Sequence, residues 1–177
     1  MRITQSQLLR AVPTLNKARL GEFVESFNKY SDMFGISTPL RAVHYLAQVF
    51  HESYMLYYTE EIASGANYEG RKDLGNTHKG DGVRFKGRGY IQITGRANYQ
   101  AYANSGYCVG DLMSHPEWLA QNPGNQKASM WFWKTKGLNA LADKDNVEAV
   151  TKKVNGGYNG LSSRKYYYRR FKKELMV

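Results

Sequence analysis

Cysteine and proline are scarce in this chain, and each shortage excludes a kind of organisation. A single cysteine, Cys108, occurs among 177 residues, so the chain is not a small secreted scaffold held together by internal disulfides. Only four prolines are present, and no repeat or low-complexity tract marks a linker between domains. We therefore expect residues 1–177 to form a single domain.

Long apolar runs and metal-binding patterns are also missing. No stretch of about 18 apolar residues occurs, and Met1 to Lys17 lack the apolar run of a secretion signal. The histidines follow no zinc-binding spacing, and Gly87-Arg88-Gly89 lacks the further residues of a phosphate-binding loop. The sequence therefore predicts a protein that is made in a cytoplasm, has no membrane anchor and uses no metal or other cofactor.

Acidic residues are few relative to basic ones. The chain has 15 Asp and Glu against 25 Lys and Arg, which gives a formal net charge of +10. An apolar fraction of 42% is enough to form a core and excludes a disordered chain. The positive charge favours an anionic partner such as nucleic acid, acidic lipid or an anionic polysaccharide. No RNA-recognition or helix-turn-helix signature supports nucleic acid, so we do not expect it as a partner.

The distribution of glycine and of apolar residues predicts the fold class. Glycines concentrate between Gly65 and Gly95, and apolar residues recur at helical spacing on both sides. Thr38 is suited to cap a helix that begins at Pro39 and carries an apolar stripe as far as Phe50. Further helices are predicted over residues 21–34, 96–104, 125–136, 147–154 and 162–175. Alternating residues after a turn at 80–82 predict a hairpin over Phe85–Thr94. The expected class is α+β, mostly α, with one small β hairpin.

Three glutamates are candidates for acid–base chemistry. Glu52 follows the apolar stripe of the helix that begins at Pro39, and its side chain points away from that stripe. Glu60 and Glu61 come eight and nine residues later. Cleavage of a glycosidic bond requires one protonated carboxyl group for the leaving oxygen and one ionised carboxylate that activates water or attacks the sugar. Spacing alone does not distinguish catalytic glutamates from ordinary solvated ones.

Several blocks of residues occur in an order that is typical of a known enzyme family. The blocks are Ala47–Ser53, Glu61–Gly65, Tyr68–Asn76, Gly80–Gly82, Phe85–Gly95, Asn98–Tyr99 and Asn155–Gly160. They resemble glycoside hydrolase family 19, and within it the short phage endolysins that degrade peptidoglycan rather than the plant chitinases with several disulfides. The resemblance implies a lysozyme-like fold with two lobes and a central substrate cleft, formed by one catalytic domain without a separate cell-wall-binding domain.

The resemblance also implies roles for individual residues. Glu52 matches the general acid, and packed aromatic residues such as Tyr45 are expected to favour its protonated form by excluding water. Glu61 matches the general base that deprotonates the attacking water, and Thr94 matches the hydroxyl that helps to hold that water. The positions that match residues lining the sugar-binding cleft are Gln92, Tyr99, Asn155 and Arg164.

Alternatives to some of these roles stay open. Either Glu60 or Glu69 is an alternative general base, and Glu69 is otherwise expected to form a structural pair with Arg71. Asn155 is alternatively a turn residue before two glycines, and Arg164 is alternatively a structural ion-pair partner.

The implied reaction is hydrolysis of β-1,4 bonds between N-acetylated amino sugars, with inversion and without a covalent intermediate. Such a reaction predicts carboxyl groups about 6.5–9.5 Å apart. The positive charge favours peptidoglycan, in an anionic bacterial envelope, over neutral chitin, and chitinase activity is the alternative. A descendant that binds the wall without cleaving it is a second alternative.

These expectations describe a monomeric phage endolysin that lyses its host. It would remain in the host cytoplasm until another protein opens the inner membrane, and would then act from the periplasm. Six of the ten residues from Arg164 to Lys173 are Lys or Arg, and they alternate with aromatic residues. This segment is either a solvated helix with an aromatic core face or a surface that docks on anionic outer-membrane lipid.

Overall fold

The computed structural model describes residues 1–176, and helices provide most of their regular structure. The α-helices are α1 (Gln5–Ala11), α2 (Lys17–Tyr30), α3 (Pro39–Glu52), α4 (Asp81–Arg84), α5 (Arg96–Ala103), α6 (Gly124–Thr135), α7 (Leu138–Ala142), α8 (Val147–Asn155) and α9 (Leu161–Leu175). Short 3-10 helices cover Ser31–Phe34, Ala66–Tyr68, Lys72–Leu74 and Pro116–Ala120. The predicted mostly helical class is confirmed.

The chain divides into two compact units. The first unit combines residues 1–57 with the chain from residue 132 onward, and the second unit is residues 58–131. Within the described part of the chain, we find no helix with both the length and the apolar character needed to cross a membrane.

Helix α3 is the central helix of the first unit. It packs against α7, α8 and α9, and all the residues of Ala42–Phe50 are buried. The hydroxyl of Thr38 accepts a hydrogen bond from the Arg41 N–H at 3.3 Å, and Pro39 lies in the first turn, which confirms the predicted start of the helix. Burial on every side of α3 makes it a rigid support for Glu52, its last residue.

The second unit has little strand, and the predicted hairpin is present only as isolated bridges. Arg88 and Ile93 exchange backbone hydrogen bonds of 3.1 and 2.8 Å, and Arg88 also forms a bridge with Glu60. Gly89 has φ of +90°, and this left-handed conformation turns the chain before a longer ladder can form. The expected turn at residues 80–82 instead belongs to the start of α4. The hairpin predicted over residues 85–94 is therefore much shorter than expected.

A buried histidine connects α3 with the segment that follows α7. His44 is fully buried, its Nε2 lies 3.0 Å from Asp145 Oδ1, and its Nδ1 has no hydrogen-bond partner among the described residues. Burial lowers the pKa of His44, although the neighbouring Asp145 opposes this change. Partial burial by itself would raise the pKa of Asp145, but hydrogen bonds from Lys172, Tyr168 and His44 lower it to about 2. The fold therefore favours a neutral imidazole beside an ionised carboxylate.

We expect the free energy of unfolding to decrease as the pH falls from 7 to about 5. The unfolded chain protonates His44 near its ordinary pKa of 6.5, whereas the folded protein takes up that proton only at lower pH, so acid favours the unfolded state. Asp145 contributes with the same sign, but only below its ordinary pKa of 3.8.

Urea unfolding of the wild type and His44→Gln at pH 7, 6 and 5 measures this effect. The variant should show a smaller pH dependence, although not zero, because burial also lowers the pKa of His51. Equal pH dependence in the two proteins would contradict the assignment to His44.

Candidate functional site

Glu52 and Arg164 are candidate functional residues that form a pair inside the first unit. The Glu52 side chain is 22% exposed, and that of Arg164 on α9 is 1% exposed. Arg164 Nη2 donates a hydrogen bond to Glu52 Oε1, and Nη1 donates to Gln48 Oε1 at 2.5 Å. Its Nε donates to the Asn159 carbonyl oxygen at 3.2 Å. One guanidinium therefore holds two side chains that lie one turn apart on α3.

The structure makes Arg164 an ion-pair partner of Glu52, and not a residue that lines a sugar-binding surface. Its buried guanidinium donates to three protein acceptors, so almost none of its surface is left for a ligand. The predicted substrate contact of Arg164 is therefore corrected to the structural alternative.

Tyr45, which was expected to exclude water from Glu52, packs against other aromatic rings. The Tyr45 ring contacts Phe27 and Trp133, with ring centroids 6.1 and 5.4 Å apart. Tyr45 precedes Glu52 by two helical turns, which separates them by about 10 Å along the axis. The hydrogen-bond partner that the structure records for the Glu52 carboxylate is the Arg164 guanidinium, and not an apolar side chain.

His51 and Asn155 occupy different environments in the same unit. His51 Nδ1 lies 3.0 Å from Ser163 Oγ, and burial lowers the pKa of His51. Gly160 has φ of +70°, and a Cβ at this position would lie 2.2 Å from the His51 ring, so only glycine fits. Asn155 ends α8 and is exposed. Solvent can therefore reach Asn155, and its contact with a sugar stays a prediction.

Glu61 is the centre of a candidate functional cluster inside the second unit. Its backbone N–H donates to the Gly87 carbonyl oxygen at 3.0 Å. Its Oε2 accepts a hydrogen bond from the Tyr68 hydroxyl at 2.9 Å, and its Oε1 is buried without a hydrogen-bond partner among the described residues. Glu61 is thus a half-buried carboxylate with one oxygen held in place and with unused capacity to accept hydrogen bonds.

Three side-chain oxygens pack closely around Gly87, at the point where a side chain would otherwise stand. A Cβ on Gly87 would lie 2.3 Å from Gln92 Oε1 and 3.2 Å from both Glu61 Oε2 and Thr94 Oγ1. A water molecule beside these oxygens can donate hydrogen bonds to the carboxylate and to the amide oxygen, or share one with the hydroxyl. The structure therefore brings together the predicted base, the predicted water-holding hydroxyl and one predicted sugar contact.

We expect Gly87→Ala to lower kcat by about 100-fold, since misplacing a reacting group by roughly 1 Å has effects of this size. The new methyl group would displace the Gln92 amide and press against the Glu61 carboxylate and the Thr94 hydroxyl. Kinetic assays and thermal unfolding should be run together with Gly21→Ala as the control, because a Cβ on Gly21 meets nothing closer than 3.8 Å. Full activity in folded Gly87→Ala would show that catalysis does not depend on the arrangement of oxygens around Gly87.

Glu60 is engaged in ion pairs, which distinguishes it from its neighbour Glu61. Its Oε1 lies 2.9 Å from Arg88 Nε and 3.3 Å from Lys86 Nζ. These two cations compete with any water for the carboxylate, so Glu60 is the poorer candidate for a general base.

Glu69 stabilises a loop and does not pair with Arg71. Its two carboxylate oxygens accept hydrogen bonds from the backbone N–H groups of Gly80 and Gly82, at 2.7 and 2.8 Å. Arg71 instead pairs with Asp73 at 2.5 Å, so the expected Glu69–Arg71 pair is wrong. Within residues 1–176, no three His, Cys, Asp or Glu side chains are grouped so that they could hold a metal ion.

Tyr99 lies in the interior of the second unit and cannot line a sugar-binding surface. Its side chain has no exposed area, its hydroxyl donates to the Lys86 carbonyl oxygen at 2.7 Å, and it accepts a hydrogen bond from Arg88 Nη1 at 3.1 Å. Burial raises the pKa of Tyr99, against the opposing effect of Arg88. Tyr99 holds the Lys86 carbonyl and the Arg88 guanidinium beside Gly87, and its predicted role as a ligand contact is corrected.

Three residues that contact these candidate groups had no predicted role: Gln48, Tyr68 and Gly87. Gln48 precedes Glu52 by four residues on a helix, and this spacing is a signal that places the two side chains on one face. Tyr68 and Gly87 lie inside blocks that carry the family resemblance, but nothing in the sequence shows that they meet at Glu61.

Comparison with known proteins identifies similar sequences over most of the chain. The sequence profile of a family described as chitinase class I matches residues 46–170. A protein of Haemophilus influenzae, described as a glycosyl hydrolase family 19 domain-containing protein, is 37% identical over 110 residues, which cover 62% of this chain and 52% of the relative. An endochitinase of Arabidopsis thaliana is 36% identical over 141 residues, which cover 75% and 47%. The chain spans about half the length of these curated relatives.

Solved structures share the fold. Chitinase C from Streptomyces griseus aligns with a TM-score of 0.76 and 20% identity, over 99% of this chain and 77% of that protein. A family GH19, class IV chitinase from Zea mays aligns with a TM-score of 0.69 and 20% identity, over 95% and 85%. These alignments confirm the fold class that the resemblance implies, which is mostly helical and lysozyme-like.

Proposed function

Because the chain belongs to glycoside hydrolase family 19, we propose that it hydrolyses β-1,4 bonds between N-acetylated amino sugars in bacterial peptidoglycan. The observation that carries this proposal is the convergence of oxygens from Glu61, Gln92 and Thr94 around Gly87. A carboxylate and a hydroxyl beside one water molecule are the groups that base-catalysed attack on a sugar carbon requires.

The proposed reaction is a single displacement with two proton transfers. Glu61 removes a proton from water while the water oxygen forms a bond to the anomeric carbon, and Thr94 orients that water. The glycosidic C–O bond breaks, and Glu52, which must carry a proton at this step despite its ion pair with Arg164, donates that proton to the leaving oxygen. No bond forms between sugar and protein, so the configuration at the anomeric carbon is inverted.

The charge of the protein supports peptidoglycan as the polymer. The net charge of +10 attracts the protein to the anionic envelope of a bacterium, whereas chitin is largely neutral. Lysis of a bacterial host by a phage endolysin is the role that fits this substrate. In that role the protein reaches the periplasm from the host cytoplasm once another protein has opened the inner membrane.

Chitin is the second candidate substrate. The two Arabidopsis thaliana relatives, 36% and 35% identical over 141 residues, are described as endochitinases. Both polymers contain β-1,4-linked N-acetylated amino sugars, so the proposed chemistry is the same for each.

The test of the substrate compares outer-membrane-stripped Gram-negative peptidoglycan with colloidal chitin. Loss of turbidity of peptidoglycan, with new reducing ends and without new free amines, would support a peptidoglycan glycosidase. Cleavage of chitin alone would move the function to the second candidate. Binding to either polymer without cleavage would indicate a wall-binding descendant, and would overturn the proposed activity.

The basic helix α9 offers only part of the predicted lipid-docking surface. Tyr167 and Phe171 are buried in the core, as the solvated-helix alternative predicts, whereas Tyr166 is 52% exposed. Lys172 is paired with Asp145 at 2.5 Å. Arg169 and Lys173 are exposed, and docking on anionic lipid rests on them. Sedimentation of Arg169→Gln/Lys173→Gln with anionic vesicles tests this extension, and binding equal to wild type would remove it.

A further inference from the structure

We propose that Tyr68 is a positioning residue that holds the carboxylate of Glu61 for its reaction with water, an inference that rests on the proposed function. The Tyr68 hydroxyl donates a 2.9 Å hydrogen bond to Glu61 Oε2. The same oxygen lies beside Gly87, 3.2 Å from the point where a Cβ on that glycine would stand. Tyr68 therefore acts on the oxygen that faces Gln92 and Thr94.

Tyr68 is itself held firmly at its backbone. Its N–H donates to the Gly65 carbonyl oxygen at 2.9 Å, and its carbonyl oxygen accepts from Asn76 Nδ2 at 2.8 Å. Asn76 is fully buried and also accepts a hydrogen bond from the Arg96 N–H at 2.8 Å. The tyrosine is thus anchored to the interior of the second unit, which gives its hydroxyl a defined position.

Of the two Glu61 oxygens, Oε2 accepts the hydrogen bond from Tyr68, so this one contact orients the carboxylate. Oε1 is buried and has no hydrogen-bond partner among the described residues. Without Tyr68, no side-chain hydrogen bond that the structure records for Glu61 would fix the rotation of its carboxylate. The plane of the carboxylate could then rotate, and neither oxygen would be held in a fixed direction toward Thr94.

Tyr68 remains a donor over the pH range in which the enzyme would work. Its pKa is raised by burial, and further raised by the hydrogen bond to Glu61 and by the charge of that residue. The hydroxyl therefore keeps its proton at neutral pH. A hydrogen bond to a carboxylate favours the ionised form over the neutral one, and the ionised form is the one that can accept a proton.

The test is Tyr68→Phe, which keeps the ring and removes only the hydroxyl. We expect kcat on a soluble substrate, such as an N-acetylglucosamine oligomer or solubilised glycan strands, to fall about 10-fold, as is typical for loss of one hydrogen bond to a charged group. KM should change little, and the acidic limb of the kcat–pH profile should move to higher pH. Tyr107→Phe is a matched control, because Tyr107 is also half-buried in the second unit.

A double-variant cycle shows whether Tyr68 acts through Glu61. In a Glu61→Gln background, Tyr68→Phe should cause little further loss, because the carboxylate to be positioned is already gone. Equal losses in both backgrounds, or unchanged kcat and pH profile in Tyr68→Phe, would overturn the role of Tyr68 while leaving the proposed function intact. Full activity of Glu61→Gln would instead overturn the proposed function, and the inference with it.

Discussion

Glu61→Gln is expected to lower kcat by about 100- to 10,000-fold, the range typical for loss of a general base. Gln has nearly the same shape as Glu and can still accept the hydrogen bond from Tyr68, so the fold should be preserved. The amide cannot accept a proton from the attacking water, which removes the step assigned to Glu61. Rates of reducing-end formation, with thermal unfolding midpoints of both proteins, measure the effect.

Glu60→Gln is the matched control for this prediction. The carboxylate of Glu60 pairs with Arg88 and Lys86, so the variant should lose stability more than catalytic rate. A large fall in kcat for Glu60→Gln, with near-normal rates for Glu61→Gln, would show that Glu60 and not Glu61 is the general base.

Arg164→Met is expected to reduce the free energy of unfolding by about 3 kcal/mol, the lower end of what breaking a buried ion pair costs. The lower end applies because Glu52 is 22% exposed and water can partly replace its lost partner. The buried Gln48 would lose the donor that now contacts its Oε1 at 2.5 Å. Activity should also fall, since Glu52 would no longer be held at the end of α3.

Urea unfolding of Arg164→Met beside Arg169→Met measures this prediction. Both residues lie on α9, but Arg169 is exposed, and its replacement should change stability by about 0.5 kcal/mol or less. Similar stability losses in the two variants would mean that the buried guanidinium has no special role.

Local patterns in the sequence were sufficient to predict α3. Thr38 and Pro39 specify its start, and the apolar residues up to Phe50 specify a buried helix, because both signals depend on residues within a few turns of one another. The hairpin over residues 85–94 is the counterexample. Its alternation resembles a strand, but Gly89 with φ of +90° turns the chain, and a side chain there would also meet Ser129 and the Asn125 carbonyl oxygen, which lie far along the sequence.

Motif order was sufficient to predict the family, and through it the candidates Glu52, Glu61, Thr94 and Gln92. It did not distinguish residues that face a ligand from residues that support the site. Tyr99 lies in a block of the resemblance, yet its ring is fully buried and its hydroxyl bonds to the protein. Burial depends on what the rest of the chain packs around a residue, which a motif does not contain.

By itself, the sequence determined the helical class, the family and the types of residue available for acid–base chemistry. These properties follow from composition, from the periodicity of short segments and from ordered motifs. Only the tertiary structure decided that Arg164 reaches Glu52 across 112 residues of sequence, and that Tyr68 and Gly87 meet at Glu61. The physical reason is that a hydrogen bond requires atoms to lie within about 3 Å of one another, and packing between distant segments sets such distances.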